Sequence, residues 1–144
     1  MEDNPDDISL VEVGVRNAEC AFDVRFVRDG DEALAYMEGA GAYSDRPRHP
    51  LPDLVVLDLQ MPGRDGFEVL KWIRTRPHLD RLQVIVWTGW EEPDTPERAR
   101  RAGANLFLRK PVEANGWITF IGMVSLALNG LAPLPVEAER RVRV

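Results

Sequence analysis

Three short apolar runs, each ending on a polar side chain, constrain this chain more than any other feature. Leu54-Val55-Val56-Leu57 ends at Asp58, Val84-Ile85-Val86-Trp87 ends at Thr88, and Leu106-Phe107-Leu108 runs through Arg109 into Lys110-Pro111. A continuous apolar run with β-branched residues and no polar alternation suits a strand covered on both faces, as in a parallel sheet. Segments with helical spacing separate the runs, and that alternation predicts an α/β fold. Ligands of such sheets bind beyond the carboxyl ends of the strands. Asp58, Thr88 and Lys110 are therefore expected to share one rim.

The punctuation between the runs fits the same plan. Asn4-Pro5-Asp6-Asp7 opens a helix, with Asn4 as cap, Pro5 in the first position and the acids at the positive end of the dipole. That helix is expected to reach about Glu19, with Leu10, Val11 and Val15 turned inward. Asp23 to Val27 reads as a strand, and Asp29-Gly30 as the turn into a helix over about 31–38 that buries Leu34 and Met37. Residues 40–52 read as a loop. Asp65 caps a helix carrying Phe67, Leu70 and Ile73, with Glu68 completing a capping-box pattern and Pro77 stopping it. Thr95-Pro96 reads as a cap and first-turn proline, with Gly103 ending the helix. A last helix spans about 115–128. One domain over 1–130 and a polar, basic tail over 131–144 are expected.

The 144 residues suffice for one domain with a real core. A formal charge of −6 argues against a general nucleic-acid binder. The lone Cys20 has no partner for an internal disulfide and reads as a small hydrophobe. The acidic start does not read as a signal peptide, and the apolar stretch 117–131 is too short to span a bilayer. A cytoplasmic protein with no membrane and no nucleic-acid partner is expected.

The chemistry that fits the expected rim is phosphoryl transfer. A carboxylate attacks phosphorus to form an aspartyl phosphate. The anionic group needs neutralising, and Mg²⁺ favours oxygen ligands. Asp3 and Asp58, with the backbone carbonyl of Gln60, can supply them, and Glu2 can help through water. Lys110 adds a compact cation and Thr88 a hydroxyl donor. Each residue also has a plainer reading: Asp58 as a loop cap, Thr88 as a β-former, Lys110 as a solvated lysine, Glu2 and Asp3 as a frayed terminus. Trp90, with Gln60, reads as a control on hydrolysis of the acyl phosphate or as an exposed contact. His49 and His78 read as surface residues. Arg98, Arg100 and Arg101 read as the wet face of a helix or as a docking patch.

Residues 51–74, with Asp58 followed by Leu59-Gln60-Met61-Pro62-Gly63 and Asp65-Gly66, resemble the phosphoacceptor segment of bacterial response-regulator receiver domains. Residues 2–7 resemble the family's acidic pair and first helix, Val86-Trp87-Thr88-Gly89 its switch threonine, and Phe107-Leu108-Arg109-Lys110-Pro111 its signature lysine and proline. The resemblance covers residues 2 to about 128. It is most similar to the stand-alone receivers paired with bacterial phytochromes and hybrid kinases. It implies a flavodoxin-like, doubly wound parallel sheet of order 2-1-3-4-5. It implies a non-enzymatic switch, with Asp58 phosphorylated by a histidine kinase or phosphotransfer protein, Mg²⁺ as cofactor, and Thr88 and Phe107 moving on activation. It further implies a cis Lys110–Pro111 bond and a homodimer through the fourth helix, last strand and last helix.

One element of the pattern is missing. The family's first strand would stand directly before Glu2, where this sequence has only Met1. An empty slot between two strand edges is therefore expected, unless the true start lies upstream or a strand is borrowed from another chain. A degenerate, phosphate-independent interaction or dimerisation module stays open beside the switch. A flavodoxin-like cofactor binder or small phosphatase is disfavoured, because no glycine-rich phosphate loop is present.

Overall fold

Side-chain caps start several helices where the sequence places them. The Asn4 side chain accepts from the Asp6 amide at 2.9 Å and opens α1 (Pro5–Asn17). Asp29 accepts from the Glu32 amide and starts α2 (Gly30–Glu38), and Asp65 accepts from the Glu68 amide and starts α3 (Gly66–Arg74). The computed structural model describes residues 1–2, 4–17, 23–89, 92–111 and 114–128. Strand β1 (Leu54–Leu57) precedes α3. Strand β2 (Gln83–Thr88), α4 (Thr95–Ala102), β3 (Leu106–Arg109) and α5 (Ala114–Leu128) follow it. Between α2 and β1 the loop holds one 3-10 turn, Gly41–Tyr43.

The strands form a parallel sheet in the order β1-β2-β3. Leu57 pairs with Val86, and Thr88 pairs with Arg109. Alternate side chains of a strand face opposite ways, and the core divides accordingly. Val84 and Val86 join Leu57, Phe107, Leu34, Met37, Leu70 and Ile73 on the face covered by α2, α3 and α4. Ile85 and Trp87 join Leu106, Trp117, Phe120, Ile121 and Val124 on the face covered by α5, with Val11 and Val15 of α1 packed beside them. There the Trp87 ring stacks on Phe120 with centroids 4.2 Å apart and meets Trp117 edge-on at 4.8 Å.

The amino terminus holds the edge of this sheet. The Met1 nitrogen donates to Val56 O at 2.7 Å, Met1 O accepts from the Asp58 amide, and the Glu2 amide donates to Val27 O at 3.0 Å. Two residues thus bridge residues 23–27 to β1. Alongside them runs a cavity of about 400 Å³, lined among others by Val24, Phe26, Leu54, Val56, Trp87 and Ile121. The expected slot exists.

Several expectations need correction. Residues 23–27 are not a strand, because a ladder needs a continuous partner and only Met1–Glu2 stands beside them. Leu54 and Val56 are half-buried rather than buried, since they face the cavity. Leu10 is 42% exposed, because α1 turns Val11 and Val15 inward instead. Thr95 is the first residue of α4 and is fully buried, and Asp94 takes the cap position. No cis peptide bond occurs among the described residues, so Lys110–Pro111 is trans, the intrinsically favoured form. Cys20 and residues 131–144 lie outside the described residues.

Candidate functional site

Asp58, Thr88 and Lys110 each stand at or just beyond the carboxyl end of a strand, and the sheet register draws them to one rim. Asp58 follows β1 and is 4% exposed; Thr88 ends β2 and is fully buried. Lys110 follows β3, and its amide donates to Thr88 O at 3.0 Å. Its ammonium Nζ then reaches Asp58 Oδ2 at 2.6 Å. The other Asp58 oxygen accepts from the Gln60 amide at 3.0 Å, which orients the carboxylate.

Two further acids converge on the same ammonium. Glu2 Oε2 lies 2.6 Å from Nζ as an ion pair without hydrogen-bond alignment, while Glu2 Oε1 accepts from the Asn4 amide at 3.1 Å. Asp7 Oδ2 accepts from Nζ at 2.9 Å. Burial disfavours the Lys110 ammonium, but the attraction of Asp58, Glu2 and Asp7 outweighs it and raises its pKa above that of an ordinary lysine. Burial also raises the Glu2 pKa above the usual carboxylate value, against the pull of Lys110 and the Asn4 amide. At Met1, burial lowers the terminal amine from 8.0 to about 6.

The loop after Asp58 is held by a close backbone approach. A Cβ on Gly66 would lie 2.3 Å from Asp58 O and 2.7 Å from Leu59 Cα, so only glycine lets α3 begin there. Phe107 sits below the rim, 2% exposed in the core. Asp3 and Trp90 lie outside the described residues. Arg100 and Arg101 pair with Glu97 on an exposed helix face, as the plainer reading of that cluster expects.

Sequence reasoning missed Asp7. It treated Asp6 and Asp7 alike, as acids suited to the helix dipole. Helix phase separates them: Asp6 is exposed, and Asp7 is turned onto Lys110. The fixed start at Pro5 was the signal that could have shown this.

The donor set suits a hard cation. Two buried carboxylates meet here, and Glu2 Oε2 has no hydrogen-bond partner. Among the described residues, however, no three acid, histidine or cysteine side chains are grouped to hold a metal ion. Asp3 and a backbone carbonyl would have to complete the set.

A parallel sheet wrapped on both faces, with a buried aspartate and a lysine touching at its carboxyl rim, defines a receiver-type fold. The chain belongs to the response regulator receiver domain family, whose model matches residues 1–121. It is similar to response regulator Rcp1 of Synechocystis sp., at 33% identity over 110 residues, 76% of this chain and 73% of that protein. The structure of the phosphorylated cyanobacterial phytochrome response regulator RcpA matches with a TM-score of 0.82 and 31% identity, covering 94% of each chain. The Mn²⁺-bound form of Rcp1 matches with a TM-score of 0.82 and 28% identity, covering 93% of this chain and 95% of that one. The chain is thus a receiver-type response regulator related to phytochrome response regulators, with a flavodoxin-like α/β fold. Among the described residues, no helix is long and apolar enough to cross a membrane.

Proposed function

We propose that this protein is a cytoplasmic phosphorylation switch in which Asp58 accepts a phosphoryl group from a histidine kinase, of phytochrome or hybrid type, or from a phosphotransfer protein. The observation that carries the reading is the buried Asp58 carboxylate with the Lys110 ammonium 2.6 Å away at the strand-end rim. In the transfer, an Asp58 oxygen attacks phosphorus and forms an O–P bond. The P–N bond of the donor phosphohistidine breaks, and imidazole leaves with the electron pair and takes up a proton. Lys110 neutralises the phosphoryl oxygens, and the Thr88 hydroxyl donates to one of them. The chain positions and stabilises charge and turns over no substrate.

Glu2, Asp3, Asp58 and the Gln60 carbonyl would hold Mg²⁺, which when bound supplies further neutralisation of the phosphoryl oxygens. The Mn²⁺-bound form of the relative Rcp1 supports binding of a divalent ion. Output then passes through protein contact, with Thr88 and Phe107 shifting and the α4–β3–α5 face available for a homodimer.

A specific observation favours a second reading, a phosphate-independent interaction module: residues 23–27 lack strand structure and a cavity lies beside β1. Incubation with acetyl phosphate and Mg²⁺ separates the two. Intact mass should rise by one phosphoryl group in the wild type and stay constant in Asp58→Ala. No gain in the wild type would leave the interaction module.

A further inference from the structure

Lys110 Nζ has three N–H donors and no more. Asp58 at 2.6 Å and Asp7 at 2.9 Å each accept one of them, and Glu2 Oε2 lies 2.6 Å away as an ion pair. A phosphoryl group on Asp58 needs the same ammonium and competes with the neighbouring carboxylates for it. This step rests on the phosphoacceptor reading above.

The three are not equal. Asp58 and Glu2 side chains are each 5% exposed, and Asp7 is 17% exposed. Asp58 carries the incoming group, and Glu2 is tied a second time, to the Asn4 amide. Asp7 makes the longest of the three contacts. It sits in the first turn of α1, where the helix dipole stabilises a negative charge without help from a lysine. It also regains water most readily, so the cost of releasing it is the smallest.

We propose that Asp7 is a positioning residue that holds Lys110 in the unphosphorylated protein and is displaced from it when Asp58 is phosphorylated. Its charge also repels an incoming phosphoryl dianion, so Asp7 sets how readily a donor loads Asp58. Removing that charge weakens the hold on Lys110 and lowers the negative potential of the rim.

The test uses the full chain at saturating Mg²⁺, with acetyl phosphate as donor and intact mass as readout. Loading forms the Asp58 O–P bond and breaks the P–O bond to the acetyl group, and acetate departs with the bonding electrons. Asp7→Asn should load about 3–10-fold faster than the wild type, since a tenfold rate change corresponds to about 1.4 kcal/mol. Asp7→Glu, which restores the charge, should return toward the wild-type rate. Asp6→Asn, an equal charge change on the exposed neighbour, should leave the rate unchanged. A merely structural role for Asp7 would not sort the variants by charge. Should Asp7→Asn not fold, Asp7→Ser takes its place with the same expectation. Loading of Asp7→Asn at or below the wild-type rate overturns the inference while leaving the phosphoacceptor reading intact. A wild type that takes up no phosphoryl group removes the reading, and the inference with it.

Discussion

The two ends of this domain solve the same packing problem with unequal means. Around β2, Val84 and Val86 on one side and Ile85 and Trp87 on the other are at most 2% exposed, both neighbouring strands are paired, and only Trp87 of these four borders the cavity. Around Met1, two residues stand between residues 23–27 and β1, and about 400 Å³ lies open beside them. The difference teaches that a strand pattern becomes a strand only when a partner stands beside it. Val24, Phe26 and Val27 carry a strand-like sequence without the structure, whereas Leu106-Phe107-Leu108, no more apolar, forms β3 against β2.

The largest expected effect follows from the filled region. Leu70→Ala, at a fully buried position on α3, should destabilise the protein by about 3–4 kcal/mol in urea unfolding. A loss under about 1 kcal/mol would mean that this half is packed no better than the other.

The next effect lies at the terminal amine. Burial lowers its pKa from 8.0 to about 6, so the folded state favours the neutral form. Below pH 6 both states hold the proton, and the full cost of burying the charge is felt. Between pH 6 and 8 the unfolded chain keeps a proton that the folded chain has released, so stability should climb by about 2–3 kcal/mol and level off above pH 8. Urea midpoints measured in metal-free buffer check this. N-terminal acetylation should flatten the climb, and an equal climb in the acetylated protein would assign it elsewhere.

Filling the cavity should narrow the contrast. A five-residue apolar strand such as Val-Ile-Leu-Leu-Val fused ahead of Met1 should add about 2 kcal/mol, the burial of its inward side chains less the cost of ordering them. It should also slow amide exchange over residues 23–27. A proline-rich fusion of the same length cannot donate to a ladder and should do neither. Equal behaviour of the two fusions would show that the cavity does not accept a strand.

The smallest effects mark the surface of α1. Val11→Ala, half-buried, should cost about 1 kcal/mol, and Leu10→Ala less than about 0.5 kcal/mol. A reversed order would put the wrong face of α1 inward.

What the sequence by itself determined is the part governed by local chemistry and by period. Apolar runs ending at Asp58, Thr88 and Lys110 located three strand ends, because continuous burial demands such runs. Caps at Asn4 and Asp65, the turn at Asp29-Gly30 and the glycine at Gly103 located helix ends, because these residues satisfy or turn the backbone nearby. Only the tertiary structure decided what depends on distant partners. It put Asp7 rather than Asp6 on Lys110, since that choice needs the phase of α1 and the reach of a lysine 103 positions away. It joined Glu2 to the same ammonium, left residues 23–27 outside the sheet, and opened the cavity beside Met1. Ion pairs and strand ladders form across space, and no local pattern carries the position of the other half.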